Sequence, residues 1–228
     1  MLAIFILMMV LTFGAQMYLR STFGTWSKRP NASGMTGRDV ADAILRKHGL
    51  SADVAIEPVK GQLTDHYDPT KKVVRLSEPN YGRASVAAMA VAAHEVGHAI
   101  QHADGYKPLM WRTRLVKSLA RLQRLGVILI ALMPVAILAL RLPRAGVILL
   151  IVGLATLASG IVVHLMTLPT ELDASFRRAL PLLNKGGYLK PGDQPHARRI
   201  LTAAAFTYVA ASLMGLVNFW WWLRVLRP

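Results

Sequence analysis

The stretch that decides the fold is Val86-Ala87-Ala88-Met89-Ala90-Val91-Ala92-Ala93-His94-Glu95-Val96-Gly97-His98-Ala99-Ile100-Gln101-His102. Its first half is almost wholly apolar, and Ser85 before it is a good N-cap. A helix is therefore expected to about His102, stopped near Gly105 and Pro108. His94 and His98 are four residues apart, so both imidazoles share one helix face, about one turn apart. That spacing lets both reach a single zinc ion at roughly 2.0–2.1 Å. Glu95 points about 100° around the helix from His94, where it can take the proton of an attacking water without binding the metal. A buried charged Glu beside two His is costly unless something pairs with it, and a metal with its water does. Gly97 costs about 1 kcal/mol in a helix interior, so its presence asks for a packing reason. His102 lies eight residues beyond His94, about 12 Å along the axis, too far to share the ion. A solvated or capping role is expected for it. The bare H-E-x-x-H pattern fixes only three positions and also occurs by chance, so the context has to decide.

Working outward, the 228 residues are 54% hydrophobic yet carry a formal net charge of +15. The two properties are segregated along the chain. With no Cys, a disulfide framework is excluded and a metal site must use His, Asp or Glu. Residues 1–19 hold no charged side chain and read as an uncleaved N-terminal transmembrane anchor, lacking the basic start and cleavage site of a signal peptide. Residues 125–168 read as two transmembrane helices joined at Arg141-Leu142-Pro143-Arg144. The first is short and borrows residues from Leu122 onward. Residues 201–223 form a last span, ending at Trp220-Trp221-Trp222, before a tail at 224–228. Of 27 Lys and Arg, 17 lie in 20–124 and 6 in 169–200. Four spans put both regions on one side, and the basic side is cytoplasmic. Nucleic-acid binding is disfavoured because the basic residues flank apolar spans and form no single tract.

The region 20–124 carries the His94–His98 helix. It opens with a linker from Ser27 to Thr36, followed by a helical pattern from Gly37 to His48. Val54–Val59 and Lys71–Leu76 read as short strands, with a turn at Asp68-Pro69-Thr70. Trp111–Leu125 is a basic amphipathic helix leading into the next span. A catalytic zinc takes three protein ligands and one open position. Glu171 is the candidate third ligand, since it falls where the third span meets the basic side. Pro169 and Thr170 suggest a helix start, which puts Glu171 and Asp173 in a first turn. A dipole carboxylate is the plainer role for Glu171. Asp173 fits either a capping box with Thr170 or a group that orients a ligand His.

Together, Ala93–Gln101, Asp65-His66-Tyr67-Asp68-Pro69, Leu168–Ser175 and Ala203–Ala210 resemble the YugP-type neutral zinc metallopeptidases of bacterial membranes. The resemblance covers most of the chain from about residue 60. It implies an α+β, predominantly helical membrane protein: a zincin-like peptidase region at 20–124, about four transmembrane helices, and a cytoplasmic-side segment at 169–200. It also implies one catalytic zinc on His94, His98 and Glu171, the ligand set of the broader gluzincin class, with Glu95 as general base. The expected partners are a peptide or protein substrate and the lipid bilayer of a bacterial cytoplasmic membrane. Two rival functions are an intramembrane protease and a non-catalytic zinc-containing scaffold. The first is disfavoured because the apolar run around the motif is too short to span. The second is disfavoured by the intact Glu95.

Several weaker candidates remain. His66, Tyr67, His196 and Tyr208 could stabilise an oxyanion. Lys72–Ser77 could be an edge strand that pairs with substrate. His164, inside the third span, is either functional or a helix-packing residue. His48 fits a helix C-terminus.

Overall fold

The computed structural model describes residues 2–225, mostly helical with one small sheet. The last three tail residues, and the side chains of His164 and Trp220–Trp222, lie outside the described residues.

The eight helices of the described chain are α1 (Leu2–Trp26), α2 (Gly37–Lys47), α3 (Glu78–Gly82), α4 (Val86–Ala103), α5 (Lys107–Pro134), α6 (Pro143–Leu172), α7 (Leu180–Lys185) and α8 (Gln194–Val225). Two π-helical segments, Val135–Ala139 and Asp173–Ala179, continue α5 and α6. Strands β1 (Ala55–Val59), β2 (His66–Asp68) and β3 (Val73–Ser77) form a sheet of order β1-β3-β2. β1 runs parallel to β3 and β2 antiparallel to it. Lys72–Ser77 reads equally as an edge strand or as an ordinary internal strand, and the structure makes it the central strand. The edge nearer the site is β2, too short to show an alternating pattern in the sequence.

α4 is the centre of the molecule. Ser85 caps it by accepting from Ala88 N, and nearly all of its side chains are buried. Ala87, Ala90, Ala92 and Ala93 are fully buried, because small residues let α2, the sheet and α8 approach on several sides. Thr36 and Asp39 make a reciprocal capping box that starts α2.

Helices α1, α5, α6 and α8 form a second layer, with α5 against α6 and α8 against both α1 and α6. Among the described residues, Ser118–Ala139 and Gln194–Val217 are long and apolar enough to cross a membrane. The first starts earlier than Leu122, so the short apolar run borrows a full turn from the basic helix. Of the other two expected spans, the described part of 1–19 lies in α1 and 145–168 lies in α6, where Pro143–Thr156 is a shorter apolar stretch, so two of the four expected spans meet that length and composition among the described residues.

The expected helix start at Pro169 is not present. α6 runs through Pro169, and Thr170 turns its hydroxyl back to Met166 O at 2.8 Å. Glu171 thus lies at the end of a long helix, and its N-terminal dipole role lapses.

Candidate active site

His94, His98 and Gln101 occupy positions i, i+4 and i+7 of α4, one continuous stripe. The end of α6 and the π segment lie against that stripe. Glu171 Oε2 is 3.1 Å from His94 Nε2 and 3.4 Å from His98 Nε2. One ligand atom from each of the three residues lies within 4.8 Å of the others. The carboxylate is only 2% exposed. Burial alone would push its pKa up. Hydrogen bonds from His94 and His98, with their charges, win and hold it well below the usual carboxylate range.

The outer nitrogens orient both rings, and for His98 the partner also sets the donor. Gln101 Nε2 donates to Thr170 O and to Asp173 Oδ2, both at 2.8 Å. Both partners only accept, so the amide has one possible orientation and its Oε1 faces His98 Nδ1 at 2.9 Å. His98 must donate from Nδ1. His94 Nδ1 lies 3.1 Å from Ser175 Oγ. Both imidazoles are thus turned with Nε2 toward Glu171.

This donor set fits a zinc ion. Ligand atoms of a tetrahedral zinc at about 2.0–2.1 Å stand about 3.3 Å apart. The observed 3.1 and 3.4 Å separations match that spacing. With the rings neutral and Nδ1 of His98 donating to Gln101, His98 Nε2 would present a lone pair toward the same point, the form a metal ligand takes.

Asp173 forms no capping box. It accepts from Gln101 and from Arg178 Nε at 2.7 Å, and Arg178 Nη1 also reaches Asp104. Asp173 therefore touches the site through Gln101, two hydrogen bonds removed from His98. Arg112 Nη1 donates to the other oxygen of Glu171 at 2.9 Å.

A cavity of about 520 Å³ opens over these groups. Its walls include Glu95, the β2 residues His66 and Tyr67, the α5 residues Leu109, Arg112, Thr113 and Val116, and Tyr208 from α8. Glu95 is 7% exposed, and burial, against the opposing pull of both His, raises its pKa. That favours a carboxyl able to hold a proton.

The structure sorts the weaker candidates. Tyr67 reaches the cavity, but its hydroxyl is held by His102 Nδ1 at 2.8 Å. His102 is therefore neither solvated nor a cap; it secures Tyr67. Burial raises the Tyr67 pKa to about 12. His66 is exposed and bonded to Thr64 O. His196 stacks on Trp26 at 3.7 Å, outside the cavity lining, and leaves the oxyanion set. Tyr208 lines the cavity without a hydrogen-bond partner among the described residues. His48 is the C-cap of α2, as expected.

Gln101, Ser175, Arg178 and Arg112 were not singled out by the sequence. Gln101 is legible in hindsight from its i+7 spacing, and Ser175 from its place four residues after Glu171. Arg112 carried no signal beyond a basic helix face.

A family model described as "Putative neutral zinc metallopeptidase" matches residues 1–227. The chain is 40% identical over 212 residues to the "Putative membrane protease YugP" of Bacillus subtilis (strain 168), covering 90% of this chain and 87% of the relative. No solved structure matches the chain at significant similarity. With the whole chain matched and its His94, His98 and Glu171 converging, this protein belongs to the neutral zinc metallopeptidase family.

Proposed function

We propose that this protein is a membrane-bound metallopeptidase that hydrolyses peptide bonds at the cytoplasmic membrane surface. His94, His98 and Glu171 hold one zinc, and Glu95 is the general base. The observation that carries the reading is the convergence of the three ligand atoms beside buried Glu95 in one open cavity. Family membership supports the peptidase assignment, and the name of the Bacillus relative supports the membrane.

Bound there, zinc would supply Lewis-acid polarisation of the scissile carbonyl and of the attacking water. Glu95 accepts the water's proton and returns it to the leaving amine, a task suited to its raised pKa. Tyr208 offers an uncommitted hydroxyl to the carbonyl oxygen as it gains charge. Arg112 and the Gln101–Asp173 pair hold the ligands in place. The organisation proposed is a peptidase region at 20–124, spans at 1–19, 125–168 (two) and 201–223, and a cytoplasmic segment at 169–200.

The test is zinc analysis with cleavage of a peptide library in detergent. Glu95→Gln should keep zinc and lose hydrolysis by about 10²-fold or more. Glu171→Ala should lose the metal. Chelation should abolish cleavage and added zinc restore it. A Glu95→Gln enzyme as active as wild type would refute the mechanism, and full zinc content in Glu171→Ala would refute the third ligand.

A further inference from the structure

A second cleft, of about 460 Å³, opens where α1 leaves its apolar run. Its charged lining residues are Arg20, Lys28 and Arg83, and among the described residues no acidic side chain lines it. All three are exposed, and among the described residues none forms an ion pair. Arg20 and Lys28 alone would be ordinary residues flanking a span. Arg83 is different: it comes from the junction before α4 and is brought to the same cleft by the fold.

The depth is right for lipid headgroups. Arg20 is the first charged residue after the apolar run 1–19, and Lys28 lies eight residues on. Lys28 lies two residues past the end of α1 at Trp26, and the helical stretch from Arg20 to Trp26 covers about 9 Å at 1.5 Å per residue, so Lys28 stands at the outer edge of the headgroup region, within reach of it by its long side chain. The headgroup layer extends roughly 5–8 Å beyond each face of the hydrocarbon core. Leu63 completes the cleft with an apolar side chain 42% exposed on a backbone at φ 57°. A leucine is strained in the left-handed region, and exposing it to water recovers nothing. At the headgroup–acyl boundary, Leu63 would meet acyl chain while the three cations meet phosphate.

We propose that this cleft binds the phosphate headgroup of an anionic phospholipid, an inference that rests on the membrane reading above. The site also borders the catalytic cavity. Ser77 lines the cleft, and its N–H and hydroxyl both bond Asp65, which lines the active-site cavity. A bound lipid would seat that shared wall.

The experiment is native mass spectrometry of full-length protein from phosphatidylcholine nanodiscs with and without phosphatidylglycerol. Wild type should retain phosphatidylglycerol selectively. The Arg20→Gln, Lys28→Gln, Arg83→Gln triple variant should bind it on the order of 100-fold more weakly, at about fivefold per charge. Arg20→Lys with Arg83→Lys should retain binding, which excludes misfolding as the cause. Equal retention by wild type and the triple variant would overturn the proposal, as would displacement by inorganic phosphate alone, which would mark a soluble-anion site. A carbonate wash separates the two readings. A chain stripped from membranes fails the membrane reading and this proposal with it. A chain that stays but shows no lipid selectivity fails only this proposal.

Discussion

Gln101 is fully buried, and its amide is spent on three bonds that link His98 to Thr170 and Asp173. Replacing it with Leu leaves His98 Nδ1 without an acceptor in a dry environment, and takes one donor from Thr170 O, which keeps the Asp173 N–H, and one from Asp173, which keeps Arg178. The orphaned group costs about 1–3 kcal/mol. Groups that orient metal ligands typically carry 10–100-fold in affinity. Gln101→Leu should therefore weaken zinc binding by about that factor in a competition titration against a chelator, with the protein still folded. Gln101→Glu should be worse, because it sets a second carboxylate against Asp173. Zinc affinity equal to wild type in both would mean that His98 is positioned by packing alone. The histidine pair and Glu95 were legible in the sequence because one helix makes their relation local. Glu171 was legible only through topology. The role of Asp173 stayed split because the choice depends on a third residue, Gln101, that no spacing rule connects to it.

α4 and the π segment meet backbone to backbone at Gly97. A Cβ added there would stand 3.0 Å from Ala174 O and 3.5 Å from Ala174 Cα. This is the packing reason that the glycine asked for. Gly97→Ala gains about 1 kcal/mol of helix propensity. Overpacking against backbone costs typically 1–3 kcal/mol. Neither backbone can swing away as a flexible side chain would, so the loss should win. Ala174 sits between Asp173, bonded to Gln101, and Ser175, bonded to His94, so the displacement reaches the proposed metal site. The expected result is a lower unfolding temperature and weaker zinc binding in the same variant. A Gly97→Ala protein that gains stability and keeps its zinc would show the contact has slack. Legibility fails elsewhere at this scale for identifiable reasons. Pro169 looks the same in sequence at a helix start as in a helix interior, since its φ near −65° suits both. Only the apolar turns before it, already assigned to a span, distinguish the two. β2 was missed because three residues cannot establish an alternation, and without that second partner the edge or internal position of β3 stayed open.

At the scale of the whole molecule, a buried helix rich in alanine is surrounded by the small sheet and by helices that continue into the second helical layer. α4 is apolar, yet its neighbours are protein on nearly every side, which separates a buried core helix from a lipid-facing one. Glu171 lies three residues past the apolar run 145–168, about 4–5 Å along α6. The metal ligands would then sit at the membrane surface, with α5 and α8 supplying Arg112 and Tyr208 to the cavity wall. Orientation decides which compartment's peptides reach them. The charge distribution argues for the cytoplasm, because 23 of the 27 Lys and Arg fall in 20–124 and 169–200. The absence of Cys makes this directly testable, since any thiol signal must come from an introduced residue. Leu142 is exposed at the α5–α6 connector, and Lys190 is exposed in the segment before α8. A membrane-impermeant maleimide should label Leu142→Cys in intact cells and Lys190→Cys only after permeabilisation. The reverse pattern would turn the active site outward and restrict its substrates to exported proteins. Labelling of both from one side would mean that α6 does not cross the bilayer, removing the topological reason for Glu171 to meet His94 and His98.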